Sequence, residues 1–231
     1  MAVAGSGDDA ARRGLFIVFE GGDSCGKTTQ VAWLAAALEQ AGVAHLITFE
    51  PGATWLGKHM RELVLNPNSG AIGPRSEALL YVADKSQHVY EMIAPALADG
   101  LVVVSDRYTD SLIAYQGAGR ELDRDEVERL AVWATQGLRP DLTVLLDADP
   151  SHAVATIERK DRLEGAGLDL HKRARSEFLR LASRDPDRYL VLAAKTGRAS
   201  LARAVRTRLV DFGLKLSEPS GMLDEDGTRD G

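Results

Sequence analysis

Eight consecutive residues near the start of the chain have the types and the spacing that hold the phosphates of a nucleotide. They are Gly21, Gly22, Asp23, Ser24, Cys25, Gly26, Lys27 and Thr28, and they match the Walker A pattern G-x-x-x-x-G-K-S/T. Glycines let backbone N–H groups surround a phosphate, and the helix that follows directs its positive N-terminal end at the same anion. Lys27 would reach the β- and γ-phosphates, and the Thr28 hydroxyl would bind Mg²⁺. The pattern predicts that residues 21–29, with Thr29 at their end, bind ATP and Mg²⁺; the alternative is a glycine-rich turn without a ligand.

A second charged group, Asp106 and Arg107, follows an apolar stretch at residues 101–105. The planar guanidinium of Arg107 suits a two-pronged grip on a phosphate group. Within the loop, the carboxylate of Asp23 would repel a phosphate unless a metal, a cation or a hydroxyl faced it. We therefore expect a phosphate contact at Arg107 and a partner for Asp23. The alternatives are a structural ion pair between Asp106 and Arg107 and a solvated Asp23.

These residues need elements that bring them to one place, and the pattern of the chain supplies them. Short β-rich runs at residues 15–20, 44–49, 101–105, 142–147 and 189–192 alternate with segments of helical period at residues 27–41, 75–98, 125–136, 170–183 and 199–212. Strands joined by helical crossovers form parallel sheets. The prediction is an α/β fold of the P-loop NTPase type, with a five-stranded parallel sheet flanked by helices. The phosphate loop and the pair Asp106 and Arg107 then both lie at the carboxyl ends of strands, where such sheets bind ligands.

Composition limits the class of protein. The chain has 231 residues, 45% of them hydrophobic, and a net charge of −6, which is typical of one globular domain that binds phosphate through a few local cations. No apolar run approaches the roughly 20 residues of a membrane span, and the acidic balance disfavours a nucleic-acid polymer. One cysteine and no secretory pattern predict a cytoplasmic protein. We expect disordered tails at residues 1–13 and 217–231 around a single domain at residues 14–216.

Taken together, the clusters resemble the thymidylate kinase family. The resemblance covers about residues 15–212 and lies in the segments 20–29, 50–54, 106–108 with Ser111 and 115–117, 139–143, and 161–164. It implies ATP-dependent phosphorylation of dTMP to dTDP, a homodimer, and a short lid at about residues 158–169. Two alternatives stay open: a paralogue that phosphorylates another nucleoside monophosphate, and a regulatory protein that binds nucleotide without turnover.

The resemblance also implies the acceptor site. There Asp23 would bind the 3′-hydroxyl, Arg107 the acceptor phosphate, Tyr81 would stack on thymine, and Tyr115 would disfavour a 2′-hydroxyl. The implied substrate-binding set is Asp23, Glu50, Tyr81, Lys85, Arg107, Ser111, Tyr115 and Gln116. Thr28 and Asp106 would organise the magnesium ion and its water. The alternatives are core packing for Tyr81 and Tyr115 and an ordinary surface turn at Glu50.

The resemblance implies that the lid supplies the cation for the transferred phosphoryl group, because the phosphate-loop arginine of one branch of the family is missing here. No arginine stands between Asp23 and Gly26, whereas a basic cluster lies near residue 160. Arg162 is the first candidate and Arg159 the second, so the implied catalytic set is Lys27, Asp106, Arg107, Arg159 and Arg162. The alternative is a solvated helix face.

Three positions depart from the family pattern and all concern the base. Phe49 stands where similar enzymes have an arginine, Lys85 where they have another, and Leu112 where a polar residue is common. Lys85 could still donate to a base carbonyl, although without the fork of an arginine. We expect intact phosphoryl transfer with loosened base selectivity.

Overall fold

A five-stranded parallel sheet forms the centre of the molecule. The computed structural model describes residues 13–151 and 162–218, so most of both predicted tails and the first part of the predicted lid, with Arg159, lie outside the described residues. The strands are β1 (Phe16–Gly21), β2 (His45–Phe49), β3 (Val102–Asp106), β4 (Leu142–Asp147) and β5 (Tyr189–Ala193). Their order is β2-β3-β1-β4-β5, and each pair is parallel. The predicted fold class is confirmed.

Helices cover both faces of the sheet. Those described are α1 (Lys27–Gln40), α2 (Trp55–Leu65), α3 (Pro74–His88), α4 (Ala94–Ala98), α5 (Thr109–Leu112), α6 (Arg124–Ala134), α7 (Leu168–Arg184) and α8 (Arg198–Leu209). Local signals start several of them: the Thr54 hydroxyl accepts from Gly57 N at α2, and Asp123 accepts from Glu126 N at α6. None of the helices in the described part of the chain has the length and apolar composition to cross a membrane.

The helix predicted over residues 75–98 is interrupted. A π-helical turn at Val89–Ile93 separates α3 from α4, and Ala94 N donates to Val89 O, five residues back. Pro95 explains the interruption, because it has no N–H for the regular ladder and its ring clashes with the preceding turn. A second π-helical segment, Ile113–Gly119, continues α5. Ser111 and Tyr115 therefore lie on one continuous helical segment with widened geometry.

The core lies on both faces of the central strand. Every residue of β1 is buried. One face joins Ile17 and Phe19 to apolar side chains of α1 and α8, and the other joins Phe16 and Val18 to the π-helical turn and to α4. This burial on both sides is why β1 reads as a continuous apolar run.

The order of the strands places the two charged groups beside each other. The connection from β1 leads to β2 on one side of the sheet, and the connection from β3 leads to β4 on the other side. The direction of the connections therefore reverses between β1 and β3. Phe19 lies opposite Asp106 in the register of these strands. Parallel sheets bind ligands in the crevice at such a switch point, and here the phosphate loop meets Asp106 and Arg107.

Candidate active site

The phosphate loop has the shape that binding of a phosphate requires. Gly26, with φ of 94°, and Ser24, with φ of 56°, adopt left-handed backbone conformations before α1 begins. Lys27 is buried, and its Nζ donates to Gly22 O at 2.6 Å and Gly21 O at 3.2 Å. A Cβ atom added to Gly22 or Gly26 would meet no atom within 4 Å, so space for an anion remains above the loop. This cradle fits the triphosphate of a nucleotide.

The pair expected to organise magnesium lies together at the end of the loop. Thr28 Oγ1 donates to Asp106 Oδ2 at 3.0 Å. The other oxygen, Asp106 Oδ1, is buried and has no hydrogen-bond partner among the described residues. Within the same residues no group of three His, Cys, Asp or Glu side chains forms a metal cage. One hydroxyl and one carboxylate with a free oxygen fit Mg²⁺, which keeps several waters and takes other ligands from substrate phosphates.

Arg107 is held firmly between the loop and β3. Its backbone has a positive φ of 72°, and its N–H donates to Phe19 O at 2.9 Å. The guanidinium donates through Nη1 to Gly21 O and Ser111 Oγ, each at 3.0 Å, and through Nη2 to Asp23 Oδ1 at 2.5 Å. Burial opposes its charge, but Asp23 raises the pKa of Arg107 well above its ordinary value. Arg107 is therefore always charged, and the orientation of its guanidinium is fixed by these contacts.

Asp23 has the partners that the sequence argument requires. Besides Arg107, the Tyr115 hydroxyl donates to Asp23 Oδ2 at 3.4 Å, and His171 Nδ1 lies 3.9 Å from the same oxygen. Burial would raise the pKa of Asp23, but Arg107, Lys27 and His171 together lower it. Burial, and then the charge of Asp23, raise the pKa of Tyr115. The carboxylate is ionised at neutral pH and the phenol beside it keeps its proton.

A cavity of about 160 Å³, partly open to solvent, lies on the other side of this pair. All eight residues of the predicted acceptor set line it: Asp23, Glu50, Tyr81, Lys85, Arg107, Ser111, Tyr115 and Gln116. The fold thus brings together every member of that set, and the nucleotide contact assigned to each one stays a prediction.

Arg61 and Leu65 of α2 also line the cavity, and sequence analysis does not select them. Arg61 Nη1 donates to Pro51 O at 2.8 Å, and its guanidinium carbon lies 5.9 Å from the centre of the Phe49 ring. The Thr54 cap and the amphipathic pattern of Trp55–Leu65 are the local signals for α2. A cation therefore stands beside Phe49, although an arginine is missing at that position.

Glu50 and Lys85 form a buried ion pair at the wall of the cavity. Lys85 Nζ contacts Glu50 Oε2, and His88 Nδ1 lies 2.9 Å from Oε1. Thr48 Oγ1 lies 2.6 Å from the other nitrogen of His88. Burial would raise the pKa of Glu50, but Lys85 and His88 lower it. Glu50 is thus a buried anion with two partners, and it is not part of an ordinary surface turn. His88 is a member of this group that sequence analysis misses.

Arg162 lies against the end of α2. Its backbone N–H donates to Leu65 O at 3.0 Å, its Nη1 donates to Val64 O at 3.3 Å, and its Nη2 lies 3.5 Å from Glu77 Oε2. Glu77 is buried and also accepts from Gln116 at 3.1 Å. Arg162 is therefore next to the acceptor cavity, on a carboxylate that sequence analysis does not select. Its catalytic assignment, like that of Arg159, stays a prediction.

Comparison with known proteins agrees with this geometry. A model of the family described as thymidylate kinase matches residues 19–204. The chain belongs to the thymidylate kinase family. The thymidylate kinase of Cutibacterium acnes is 58% identical over 196 residues, which are 85% of this chain and 96% of the relative. That of Clavibacter michiganensis is 50% identical over 199 residues, 84% of this chain and 94% of the relative.

The crystal structure of thymidylate kinase from Ehrlichia chaffeensis has the same fold. Its TM-score is 0.70 at 30% identity, and the match covers 85% of this chain and 99% of the other. The family match also includes the phosphate loop from Glu20 onward, both charged groups and the acceptor cavity. As a member of the thymidylate kinase family, the chain is a phosphotransferase.

Asp84 generates a prediction about stability. Its Oδ1 accepts from Gly52 N at 3.0 Å, and its Oδ2 is buried without a hydrogen-bond partner among the described residues. Burial, and then the charge of Glu50, raise the pKa of Asp84 from 3.8 to about 6. Between these two pH values the folded state holds a proton that the unfolded state has lost, so this group contributes less stability as pH rises.

We expect Asp84→Asn to remove that loss, because the amide keeps an oxygen for Gly52 N and carries no charge. The free energy of unfolding of the variant, relative to the wild type, should rise by up to about 3 kcal/mol between pH 4 and pH 7. Urea unfolding at both pH values measures this difference. The exposed Asp99→Asn is the matched control and should show no such trend. A difference that is the same at both pH values for Asp84→Asn would contradict the assignment.

Proposed function

We propose that this protein transfers the γ-phosphoryl group of Mg·ATP to dTMP and releases dTDP and ADP. The observation that carries the proposal is the position of the Asp23–Arg107 pair, between the phosphate cradle and the acceptor cavity. Both reacting phosphates would meet there. Membership of the thymidylate kinase family supports dTMP as the acceptor.

On the donor side, the protein binds and orients the triphosphate. Backbone N–H groups of the loop surround the phosphates, and Lys27 would exchange its bonds to Gly21 O and Gly22 O for phosphate oxygens. Thr28 and Asp106 would hold Mg²⁺, which supplies positive charge for the phosphate oxygens. Little covalent work is needed from the protein, because positioning and charge neutralisation supply most of the rate in phosphoryl transfer.

On the acceptor side, the walls of the cavity would select and aim dTMP. Arg107 would bind the acceptor phosphate, and Asp23 would accept from the 3′-hydroxyl. Tyr81, which is buried at the cavity wall, would stack on the base. The lid, which includes Arg162, would close over the site, exclude water and so suppress hydrolysis of ATP.

A regulatory protein without turnover is the less favoured function. Lys27, Thr28, Asp106 and Arg107 are all present and in contact as transfer requires, and a protein released from catalysis has no need to keep them together. A paralogue with another acceptor would have to differ at the base. Leu112, which lines the cavity beside Lys85, is the departure on which that alternative depends.

We also propose a homodimer. The neighbouring helices α3 and α6 each expose large apolar side chains: Leu79 is 54% exposed, Val132 54% and Trp133 75%. Apolar groups exposed together on neighbouring helices mark protein interfaces more often than solvated surface. A second copy of the chain, packed through the same helices, would cover them.

A panel of nucleoside monophosphates with Mg·ATP tests the proposed reaction. We expect dTMP to be the best acceptor in an ADP-release assay, with dUMP within about 10²-fold in kcat/KM, because one methyl group in a pocket discriminates weakly. Lys27→Ala should lower kcat at least ~10²-fold with the fold intact, since a cation for the transition state is lost. Turnover of another monophosphate in preference to dTMP would leave the paralogue as the function.

The lid arginine has its own test. Arg162→Ala should lower kcat by about 10²-fold or more and change the KM of dTMP far less, because the charge acts on the transition state. Arg120→Ala is the matched control, since Arg120 also binds Glu77 through two bonds of 2.9 and 3.0 Å. Equal effects of both variants would show that Arg162 serves only as a structural partner of Glu77.

Sedimentation equilibrium tests the dimer. The wild type should have twice the 24.9 kDa mass of the chain, and the double variant Leu79→Glu with Trp133→Glu should be a monomer, because buried charges would meet across the interface. Val210→Glu alters another exposed apolar side chain, 47% exposed and beyond α8, and should remain dimeric. A monomeric wild type would refute the proposal.

A further inference from the structure

Glu20 is a fully buried carboxyl group that the proposed mechanism does not use. It is the residue of β1 before Gly21, with 0% of its surface exposed. Burying a charge is costly unless hydrogen bonds compensate it. Glu20 has three such bonds, all from the segment that follows β3: Oε1 accepts from Tyr108 N at 2.9 Å and Ser111 N at 3.1 Å, and Oε2 accepts from Ser111 Oγ at 2.6 Å.

The third of these bonds decides what the Ser111 hydroxyl can do. A hydroxyl has one proton and two lone pairs, and here the proton is directed to Glu20 Oε2. The lone pairs then face Arg107 Nη1, which donates to the same oxygen at 3.0 Å. Burial, and then the charge of Asp110, raise the pKa of Glu20 to about 7, so above that pH the Glu20 carboxylate orients the hydroxyl as an acceptor for Arg107.

Arg107 needs this support because its other side-chain hydrogen-bond acceptors lie on one side, and the Tyr115 ring, 5.5 Å from the guanidinium carbon, offers no directed bond. Gly21 O and Asp23 Oδ1 both belong to the phosphate loop, and a guanidinium held by them alone could swing about that side. Ser111 lies outside the loop, on α5, and supplies the other fixed point. A chain of contacts therefore runs from Glu20 through Ser111 to the guanidinium.

We propose that Glu20 is a positioning residue for the acceptor phosphate, acting through Ser111 to hold the Arg107 guanidinium in its binding direction. The inference rests on the proposed function, in which Arg107 binds the phosphate of dTMP. Glu20 itself is enclosed by protein and touches neither substrate. Its effect belongs to acceptor binding, since the ATP contacts of Lys27 and Thr28 do not depend on Ser111.

Steady-state kinetics of Glu20→Gln test this inference. When the single oxygen of the glutamine accepts from Tyr108 N and Ser111 N, its NH2 group faces Ser111 Oγ. The hydroxyl proton then has no acceptor there, so the orientation of the Arg107 guanidinium should loosen. We expect the KM of dTMP to rise about tenfold, with kcat and the KM of ATP within about twofold of the wild type. An unchanged KM of dTMP in a folded variant would overturn the proposal, and so would equal increases in both KM values.

Asp110→Asn is the matched control. Asp110 is a buried carboxyl group beside Ser111, and it also accepts from a hydroxyl, that of Tyr189 at 2.5 Å. No hydrogen bond joins it to Arg107 in the described structure, so its variant should keep the KM of dTMP. A tenfold increase in that variant as well would show that loss of any buried carboxylate here disturbs the site, and would overturn the proposal.

A double-mutant cycle separates the path through Ser111 from other effects. In a Ser111→Ala background the further change Glu20→Gln should alter the KM of dTMP by less than about twofold, because the connecting hydroxyl is already gone. If the fold-changes in the KM of dTMP of the two single variants multiply in the double variant, the proposal is overturned. If Glu20→Gln fails to fold, Glu20→Asp replaces it, since the shorter side chain keeps the charge and withdraws the oxygen from Ser111. Failure of the proposed function would be seen separately, as a wild type that does not phosphorylate dTMP.

Discussion

Asp23 and Arg107 carry opposite charges 2.5 Å apart, and each side chain is only 17% exposed. One belongs to the phosphate loop after β1 and the other to the turn after β3, so the pair joins the two strands between which the direction of the connections reverses. A buried pair of this kind is costly to break, because each charge would lose its compensation. The positive φ of Arg107 adds strain of roughly 1–2 kcal/mol, which the backbone bond to Phe19 O and the contacts of the guanidinium offset. The phosphate loop and the cavity beside it are therefore held in one fixed relation.

The walls of the acceptor cavity depend on further buried carboxylates. Glu50 is compensated by Lys85 and His88 of α3, and Glu77 of α3 by Arg120 and Arg162. Each cluster joins side chains from separate elements, so the cavity takes shape only when the end of β2, α3 and the segment after β3 have packed together. Such clusters are rigid when complete, because an unpaired member would be left buried.

Several structural details had no sufficient signal in the sequence. The Thr54 cap and the amphipathic pattern of residues 55–65 favour a helix, but neither shows that α2 reaches the cavity, and so Arg61 was not selected for the site. Pro95 stands inside a helical pattern, and whether a proline ends, kinks or widens a helix depends on the packing around it. Lys85 illustrates the same limit: its type and position are compatible with a base contact, whereas in the fold its Nζ lies on Glu50, 35 residues away in the chain.

The sequence by itself determined the phosphate loop and the parallel sheet, because these depend on neighbouring residues and on the regular alternation of apolar strands and helices. The family came from the resemblance of five motif segments. It also named eight of the side chains that line the cavity, since the resemblance covers the whole fold. Tertiary structure decided how those side chains are paired. Arg107 meets Asp23 across 84 residues, and Glu20 meets Ser111 across 91. Such contacts follow from strand order and helix packing, and no local pattern specifies which of several buried charges will find which partner.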